Sequence, residues 1–112
     1  MTACRKWDII LVPFPFTDLT AAKRRPALVV SPDDFNKSGP DVVIAFLTSR
    51  LEVSRRPGDY RIRFWKESGL PKASLLRMKF ATIDHEIIVK RIGRLIEMER
   101  DKVRDVLREF FL

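Results

Sequence analysis

The sequence predicts a mainly β domain with some helix: a small barrel of strongly bent antiparallel strands closed by a C-terminal helix. Three observations predict this fold class. Several short β-rich segments are separated by turn-forming residues, a stretch of helical periodicity comes last, and 112 residues suffice for a single hydrophobic core. We therefore expect residues 1–112 to form one domain.

The first half of the chain contains three predicted strands. Residues 8–14, DIILVPF, form a continuous apolar run, which is typical of a strand covered on both faces, and Pro13 together with Pro15 just after the run favours an edge or a barrel rim. The second strand covers residues 27–31 and the third covers residues 41–50, DVVIAFLTSR. Residues 15–23 indicate a loop that can shift over a site, and residues 32–41 a short helical turn followed by a loop.

Two later segments alternate strictly between apolar and cationic side chains. They are residues 60–64, YRIRF, and residues 76–80, LRMKF. The alternation predicts two further strands, with Arg77 and Lys79 on the outward face of the second. Two such strands lying side by side would present a basic surface.

The chain ends with a strand and a helix. Residues 82–88 indicate a turn with a short helical element, and residues 89–95 a last strand broken by Gly93. From residue 97 to residue 111 apolar side chains recur at helical spacing, which predicts an amphipathic closing helix.

The charge of the chain suggests an anionic partner. Lys and Arg number 22 against 15 Asp and Glu, a formal net charge of +7. A folded domain with this charge attracts nucleic acid or an acidic protein segment, although solubility is an alternative reason for it. No stretch suits a signal peptide or a membrane span, and the single cysteine precludes an internal disulfide. We expect a cytoplasmic protein that does not associate with membranes.

Three cations precede a strand in the segment KRRPALVVS, residues 23–31. Pro26 fixes its own φ and favours extended geometry at Arg25, so the guanidinium leaves a stiff backbone. A rigidly mounted Arg suits a phosphate because its planar fork donates two parallel hydrogen bonds. An ordinary solvated loop is the alternative interpretation.

Hydroxyl and cationic residues, Thr48, Ser49 and Arg50, follow the point where the third strand surfaces. RNA carries its own nucleophile, the 2′-hydroxyl, and its attack on the adjacent phosphate builds negative charge that a fixed cation and hydroxyl donors stabilise. Arg25 and Thr48 together suit this chemistry, with Ser49 as a further donor. Alternatively, Thr48 and Ser49 cap the strand end by bonding their own backbone.

The residues do not indicate metal or cofactor chemistry. His85 is the only histidine, and the consecutive Asp84, His85 and Glu86 cannot all face one ion in an extended segment. The sequence has no phosphate-binding glycine loop, dinucleotide fingerprint or nucleophile elbow. We expect no metal and no cofactor, and a surface or hydrogen-bonding role for His85.

Aromatic side chains near the predicted loops are candidates for stacking on unpaired bases. They are Phe14, Phe16 and Trp65. Core packing is the alternative for Phe14 and Phe16, which lie in an apolar stretch. Trp65 continues the phase of the cationic side chains in residues 60–64, so we expect it to face solvent or a partner.

These segments together resemble the PemK/MazF-like toxins of type II toxin–antitoxin modules, and the likeness spans nearly the whole chain. Its carriers are DIILVPFPFTDLT at residues 8–20, KRRPALVVS at 23–31, VVIAFLTSR at 42–50, TID at 82–84 and IGRL at 92–95. The order and spacing of the five segments make the resemblance specific.

The resemblance implies an SH3-like barrel, a homodimer, and an mRNA interferase that cuts single-stranded RNA without metal. It implies that Arg25 and Thr48 are the catalytic pair, and that the cut leaves a 2′,3′-cyclic phosphate and a 5′-hydroxyl. A cognate antitoxin with an acidic, disordered tail is the implied protein partner. The residues expected to bind RNA are Phe16, Thr17, Asp18, Lys23, Arg24, Ser49, Arg50, Trp65, Arg77 and Lys79.

The chain departs from the family pattern at three points. Trp7 stands where many relatives have Gly, TAAK precedes the Arg-Arg-Pro run where some have an acid, and Met78 stands where some have an acid. Because Arg is a poor base, the group that accepts the 2′-hydroxyl proton stays open. Asp18 is one candidate, although a loop Asp is commonly a turn former.

Two other classes of function stay open on the sequence. One is a toxin of the same barrel type without catalysis, which binds DNA gyrase or RNA and is toxic without producing new 5′-hydroxyl RNA ends. The other is a nucleic-acid-binding regulator, whose binding would survive Thr48→Ala and weaken steeply with salt.

Overall fold

A computed structural model describes residues 4–14 and 23–112 of the chain. The strands are β1 (Asp8–Pro13), β2 (Arg24–Val29), β3 (Asp41–Thr48), β4 (Tyr60–Arg61), β5 (Leu75–Asp84) and β6 (Lys90–Arg94). The helices are α1 (Asp33–Ser38) and α2 (Glu97–Phe111), and a 3₁₀ turn covers His85–Ile87. The predicted short helical turn after the second strand and the predicted closing helix are both confirmed.

The six strands form one curled antiparallel sheet in the order β4-β5-β3-β2-β1-β6. Successive side chains of a strand point to opposite faces, so β2 places Leu28 in one hydrophobic cluster and Ala27 and Val29 in another. The first cluster lies under α2, which contributes Val103 to it. The predicted mainly β fold class, a bent barrel-like sheet closed by a C-terminal helix, is confirmed.

The position predicted for the first strand needs correction. β1 is paired on both sides, with β2 and with β6, and is therefore an inner strand. Of the two predicted positions, an edge or a barrel rim, the edge is wrong; Pro13 is the last residue of β1 and lies beyond Leu11, where the pairing with β6 ends. A proline at this point breaks no bond to the outer neighbour, so an inner strand tolerates it.

Other predicted boundaries also change, among them that of the second strand, which is Arg24–Val29 rather than residues 27–31. The strand predicted at residues 60–64 is only Tyr60–Arg61, because the chain turns through residues 63–69. The strand predicted at residues 76–80 extends over Leu75–Asp84 and takes in the first three residues of the segment predicted as a turn, whose predicted short helical element is the 3₁₀ turn His85–Ile87. Gly93 lies inside β6 and does not end it. The Ser68 backbone packs so closely against Gly93 that a Cβ there would collide with the Ser68 carbonyl, which accounts for a glycine at this position.

A buried carboxylate joins α2 to the turn after β4. Glu99 is 1% exposed and accepts hydrogen bonds from the Tyr60 hydroxyl at 2.6 Å and from the backbone N–H groups of Arg63 and Phe64 at 2.6 and 2.9 Å. Burial raises the pKa of the Tyr60 phenol, and the hydrogen bond to Glu99 raises it further. The bonds therefore hold the loop that leads from β4 to β5 against the helix.

Trp7 adopts a backbone conformation that glycine prefers. Its φ is 78°, in the left-handed region, while its indole is buried in the first cluster at 5% exposure. Its N–H donates to the Val29 carbonyl at 2.8 Å and its own carbonyl accepts from the Leu95 N–H at 2.9 Å. These bonds and the burial hold a conformation that an exposed Trp would leave.

Candidate functional site

A cleft of about 330 Å³ opens where β2 begins and β3 ends. The two strands are antiparallel, with Ala27 paired to Phe46, and two further residues in this register lead to Arg25 on one strand and Thr48 on the other. Both residues line the cleft. The lining consists of Lys23, Arg24, Arg25, Pro26, Leu47, Thr48, Ser49, Pro71, Lys72 and Ser74.

Arg25 is held by an aromatic ring. Its guanidinium carbon lies 4.5 Å from the centroid of the Phe14 ring, and Phe14 in turn makes an edge-to-face contact with Phe46 at 6.4 Å between centroids. Among the described residues the buried Nε of Arg25 has no hydrogen-bond partner. The contact with the ring orients the guanidinium without using its donors, which remain available for an anion.

The sequence leaves two alternatives for Phe14, stacking on an unpaired base or packing in the core. The ring is 40% exposed and lies against Arg25 and Phe46, so it is not a core residue. Its backbone N–H donates to the Lys23 carbonyl at 2.9 Å, which fixes Phe14 beside the start of β2.

The hydroxyl oxygen of Thr48 accepts a hydrogen bond from the backbone just after its own strand. Its Oγ accepts a hydrogen bond from the Arg50 N–H at 3.1 Å, which is the local capping that the sequence left open. This bond occupies an oxygen lone pair and leaves the hydroxyl hydrogen free to be donated. Capping and donation into the cleft are therefore compatible for this side chain.

The other residues predicted to bind RNA differ in their position relative to the cleft. Lys23, Arg24 and Ser49 are exposed and line the cleft, whereas Arg50 is exposed but is not part of the lining. Phe16, Thr17 and Asp18 lie outside the described residues. Trp65, Arg77 and Lys79, which lie between β4 and the end of β5, are not part of the cleft lining.

Trp65 is half-buried, so the predicted solvent-facing position is only partly met, and its contact with a partner stays a prediction. Trp65 packs against the first hydrophobic cluster, because the chain turns at residue 63 and the strand phase does not continue to it. Lys79 is exposed on β5 as predicted, whereas Arg77, predicted to face outward with it, is partly covered. The Arg77 side chain is 15% exposed and forms an ion pair with Asp59 at 3.2 Å. Arg77 and Lys79 line a separate pocket beside Phe110.

Sequence reasoning missed one wall of the cleft. It consists of Pro71, Lys72 and Ser74, from the loop that precedes β5. The pairing of Thr48 with Leu75 carries this loop to the end of β3. The segment reads as an ordinary polar loop, and nothing local in it indicates which strand end it will approach.

The electrostatics of the cleft favour an anion. Four lining residues are cations, namely Lys23, Arg24, Arg25 and Lys72, and the described lining contains no carboxylate. Uncompensated like charges in a concave site attract an anionic ligand strongly. Within the described residues, no group of three or more His, Cys, Asp or Glu side chains is arranged to hold a metal ion.

Two features elsewhere in the described residues concern the expected role of His85 and the expected absence of a membrane span. His85 is partly buried, its backbone N–H donates to the Pro40 carbonyl at 2.8 Å, and it lies outside the cleft lining. None of the helices described here has the length and hydropathy needed to cross a bilayer.

Solved structures share this fold. An endoribonuclease in complex with its cognate antitoxin, from a mycobacterial species, is 19% identical with a TM-score of 0.73, covering 96% of this chain and 93% of that chain. A MazE–MazF complex from Deinococcus radiodurans is 18% identical with a TM-score of 0.74, covering 99% and 97%. The Mycobacterium tuberculosis toxin MazF-mt6 is 17% identical with a TM-score of 0.72, covering 93% and 95%.

The sequence comparisons identify the family. A search of the curated proteins found no significant match. The family model for the PemK-like, MazF-like toxins of type II toxin–antitoxin systems matches residues 5–111, nearly the whole chain. The resemblance stated from the sequence is thus confirmed, and this chain belongs to the PemK-like, MazF-like family of toxins of type II toxin–antitoxin systems.

Proposed function

We propose that this protein is a toxin endoribonuclease that cuts single-stranded RNA without a metal ion and so inhibits translation. The observation that carries the proposal is the presence of Arg25 and Thr48 in the lining of one cationic cleft. Family membership supports it, as does the fold shared with a mycobacterial endoribonuclease.

The reaction needs only what RNA and these side chains supply. The 2′-oxygen attacks the adjacent phosphorus, the O2′–P bond forms and the P–O5′ bond breaks, which leaves a 2′,3′-cyclic phosphate and a 5′-hydroxyl. Negative charge builds on the non-bridging oxygens, where Arg25 donates two N–H groups and Thr48 donates its hydroxyl hydrogen. The 2′-hydroxyl loses its proton to a base and the 5′-oxygen takes one up.

The positive charge of the chain suits two partners of this activity. Single-stranded RNA is the substrate, and a cognate antitoxin with an acidic, disordered tail is the inhibitor that covers the same cations. The neighbouring structures support this second assignment, since one is an endoribonuclease with its cognate antitoxin and another is a MazE–MazF complex. The active form is a homodimer.

Incubation of the purified protein with single-stranded RNA in EDTA tests the proposal. We expect cleavage with new 5′-hydroxyl ends, and its loss in Arg25→Ala by about 10²- to 10³-fold. Arg61→Ala is the matched control, because Arg61 is exposed and lies outside the cleft lining. Intact RNA in EDTA, or equal rates for the two variants, would refute the proposal. Toxicity on expression without new 5′-hydroxyl ends would favour a non-catalytic toxin.

A further inference from the structure

We propose that Lys72 binds a backbone phosphate of the RNA next to the one held by Arg25. This inference rests on the proposed function and extends the cleft to a second phosphate. It starts from the position of Lys72 in the cleft wall formed by the loop before β5. Arg25 and Thr48, in contrast, belong to the wall formed by the sheet.

The backbone around Lys72 is anchored. The Oγ of Ser74, a residue only 2% exposed, donates to the Lys72 carbonyl at 2.8 Å. The Ser74 carbonyl accepts from the Ile62 N–H at 3.0 Å, and Leu75 pairs with Thr48 at the start of β5. Pro71 precedes Lys72 and restricts the chain on the other side. Since the backbone is held, the position of the ammonium depends on its own flexible stem alone.

In the part of the chain that the structure describes, no carboxylate pairs with the ammonium group of Lys72. Arg77 on the neighbouring strand, in contrast, is paired with Asp59. The lining adds three further cations from the start of β2 and, in its described part, no acid. Bringing four like charges to one cleft raises the energy of the empty site, and an anionic ligand relieves that repulsion.

A polymer of phosphates fits this arrangement better than a single anion. The cations lie on two walls, so a strand running between them places successive phosphates near both. Arg25 and Lys72 differ in a useful way, because the Arg fork fixes the geometry of one phosphate and the Lys acts as a point charge on another. Lys72 is thus a substrate-binding residue and takes no part in bond breaking.

The test compares Lys72→Gln with Lys66→Gln, which removes an equal charge from the same loop. Lys66 is exposed, lies near the Trp65 ring at 5.7 Å and does not line the cleft. Binding is measured by fluorescence anisotropy with a labelled single-stranded DNA, which lacks the 2′-hydroxyl and cannot be cut. For K72Q we expect roughly three- to tenfold weaker binding and a salt slope lower by about 0.7, the value for one lost phosphate contact on a single strand.

Steady-state cleavage of RNA by the same variants gives a second readout. A lost binding contact raises KM and leaves kcat within about twofold, because the contact is equal in the ground state and the transition state. Lys72→Arg, which keeps the charge, is expected to restore KM. Equal binding and equal salt slopes for K72Q and K66Q would overturn the inference, as would a K72Q variant that loses kcat and keeps KM.

The two proposals fail in distinguishable ways. If the wild-type protein cuts no RNA, the proposed function fails, and the DNA measurement still decides whether Lys72 holds a phosphate. If the wild-type protein cuts RNA and K72Q behaves as wild type, only the role of Lys72 fails. If K72Q weakens binding of an oligoglutamate peptide and leaves DNA binding unchanged, the site belongs to an acidic protein segment and the inference is overturned.

Discussion

The guanidinium of Arg25 lies over the ring of Phe14, 4.5 Å from its centroid, and this is the contact that holds the principal cation of the cleft. Phe14 is braced by Phe46 and by its backbone bond to Lys23. The ring therefore fixes the position of the Arg25 guanidinium in the cleft.

Replacing Phe14 tests this arrangement. Phe14→Leu is expected to lower kcat about three- to tenfold, because a cation–π contact contributes on the order of 1 kcal/mol and its loss frees the guanidinium. Phe14→Tyr keeps a ring and should retain most of the rate. Initial rates across RNA concentrations separate kcat from KM. A rise in KM with kcat unchanged would instead show that Phe14 stacks on a base.

Thr48→Val removes a hydroxyl and preserves the shape of the side chain. We expect the single-turnover cleavage rate to fall about 10²- to 10³-fold, the usual effect of losing one preorganised donor to a developing charge. Thr48→Ser keeps the hydroxyl and is expected to stay within about tenfold of the wild-type rate. Circular dichroism checks that both variants fold. A Val variant as fast as the Ser variant would leave Thr48 with only its capping role.

Stability at alkaline pH depends on the burial of the Tyr60 phenol and on its hydrogen bond to Glu99. The folded state raises the pKa of Tyr60 above its ordinary value of 10.0, so above that pH the unfolded chain releases a proton that the folded chain still holds. The contribution of the Tyr60 phenol to the free energy of unfolding is complete below pH 10.0 and decreases as pH rises above it. Urea unfolding of wild type and Tyr60→Phe between neutral and strongly alkaline pH measures it.

The expected difference between these two proteins has a definite sign. Tyr60→Phe lowers the free energy of unfolding at neutral pH by about 1 kcal/mol, since a buried carboxylate oxygen loses one of its two donors and keeps only the Arg63 N–H. The gap should shrink as pH rises, because only the wild type loses stability through this phenol. A gap that is constant or widens with pH would contradict the assignment.

Trp7→Gly sets backbone strain against burial. Glycine relieves a positive φ that costs a bulky residue about 1–2 kcal/mol, but removing a buried indole costs about 3–5 kcal/mol. We therefore expect a net loss of about 1–4 kcal/mol of unfolding free energy, measured by urea unfolding. Trp7→Phe keeps the strain and part of the packing, and serves as the comparison. A Gly variant as stable as wild type would mean that the relief of strain fully offsets the lost burial.

Local patterns in the sequence were sufficient for the types and order of most elements. Apolar runs and alternation identified the strands, and helical spacing identified Glu97–Phe111 as the closing helix. They failed where a tertiary contact overrides the local pattern. The alternating pattern of the sequence runs through residues 60–64, but Glu99 from α2 accepts hydrogen bonds from the backbone of Arg63 and Phe64 and holds a turn there.

The sequence by itself determined the family, the mainly β fold class and the two residues at the centre of the cleft, because motif order and hydrophobic periodicity are properties of the chain. Only the tertiary structure decided which side chains surround that pair. It brought Lys72 to the cleft through the pairing of β3 with β5, placed Phe14 against Arg25, and turned Arg77 toward Asp59. Such contacts join residues far apart in the chain, and their geometry is set by strand register and sheet curvature.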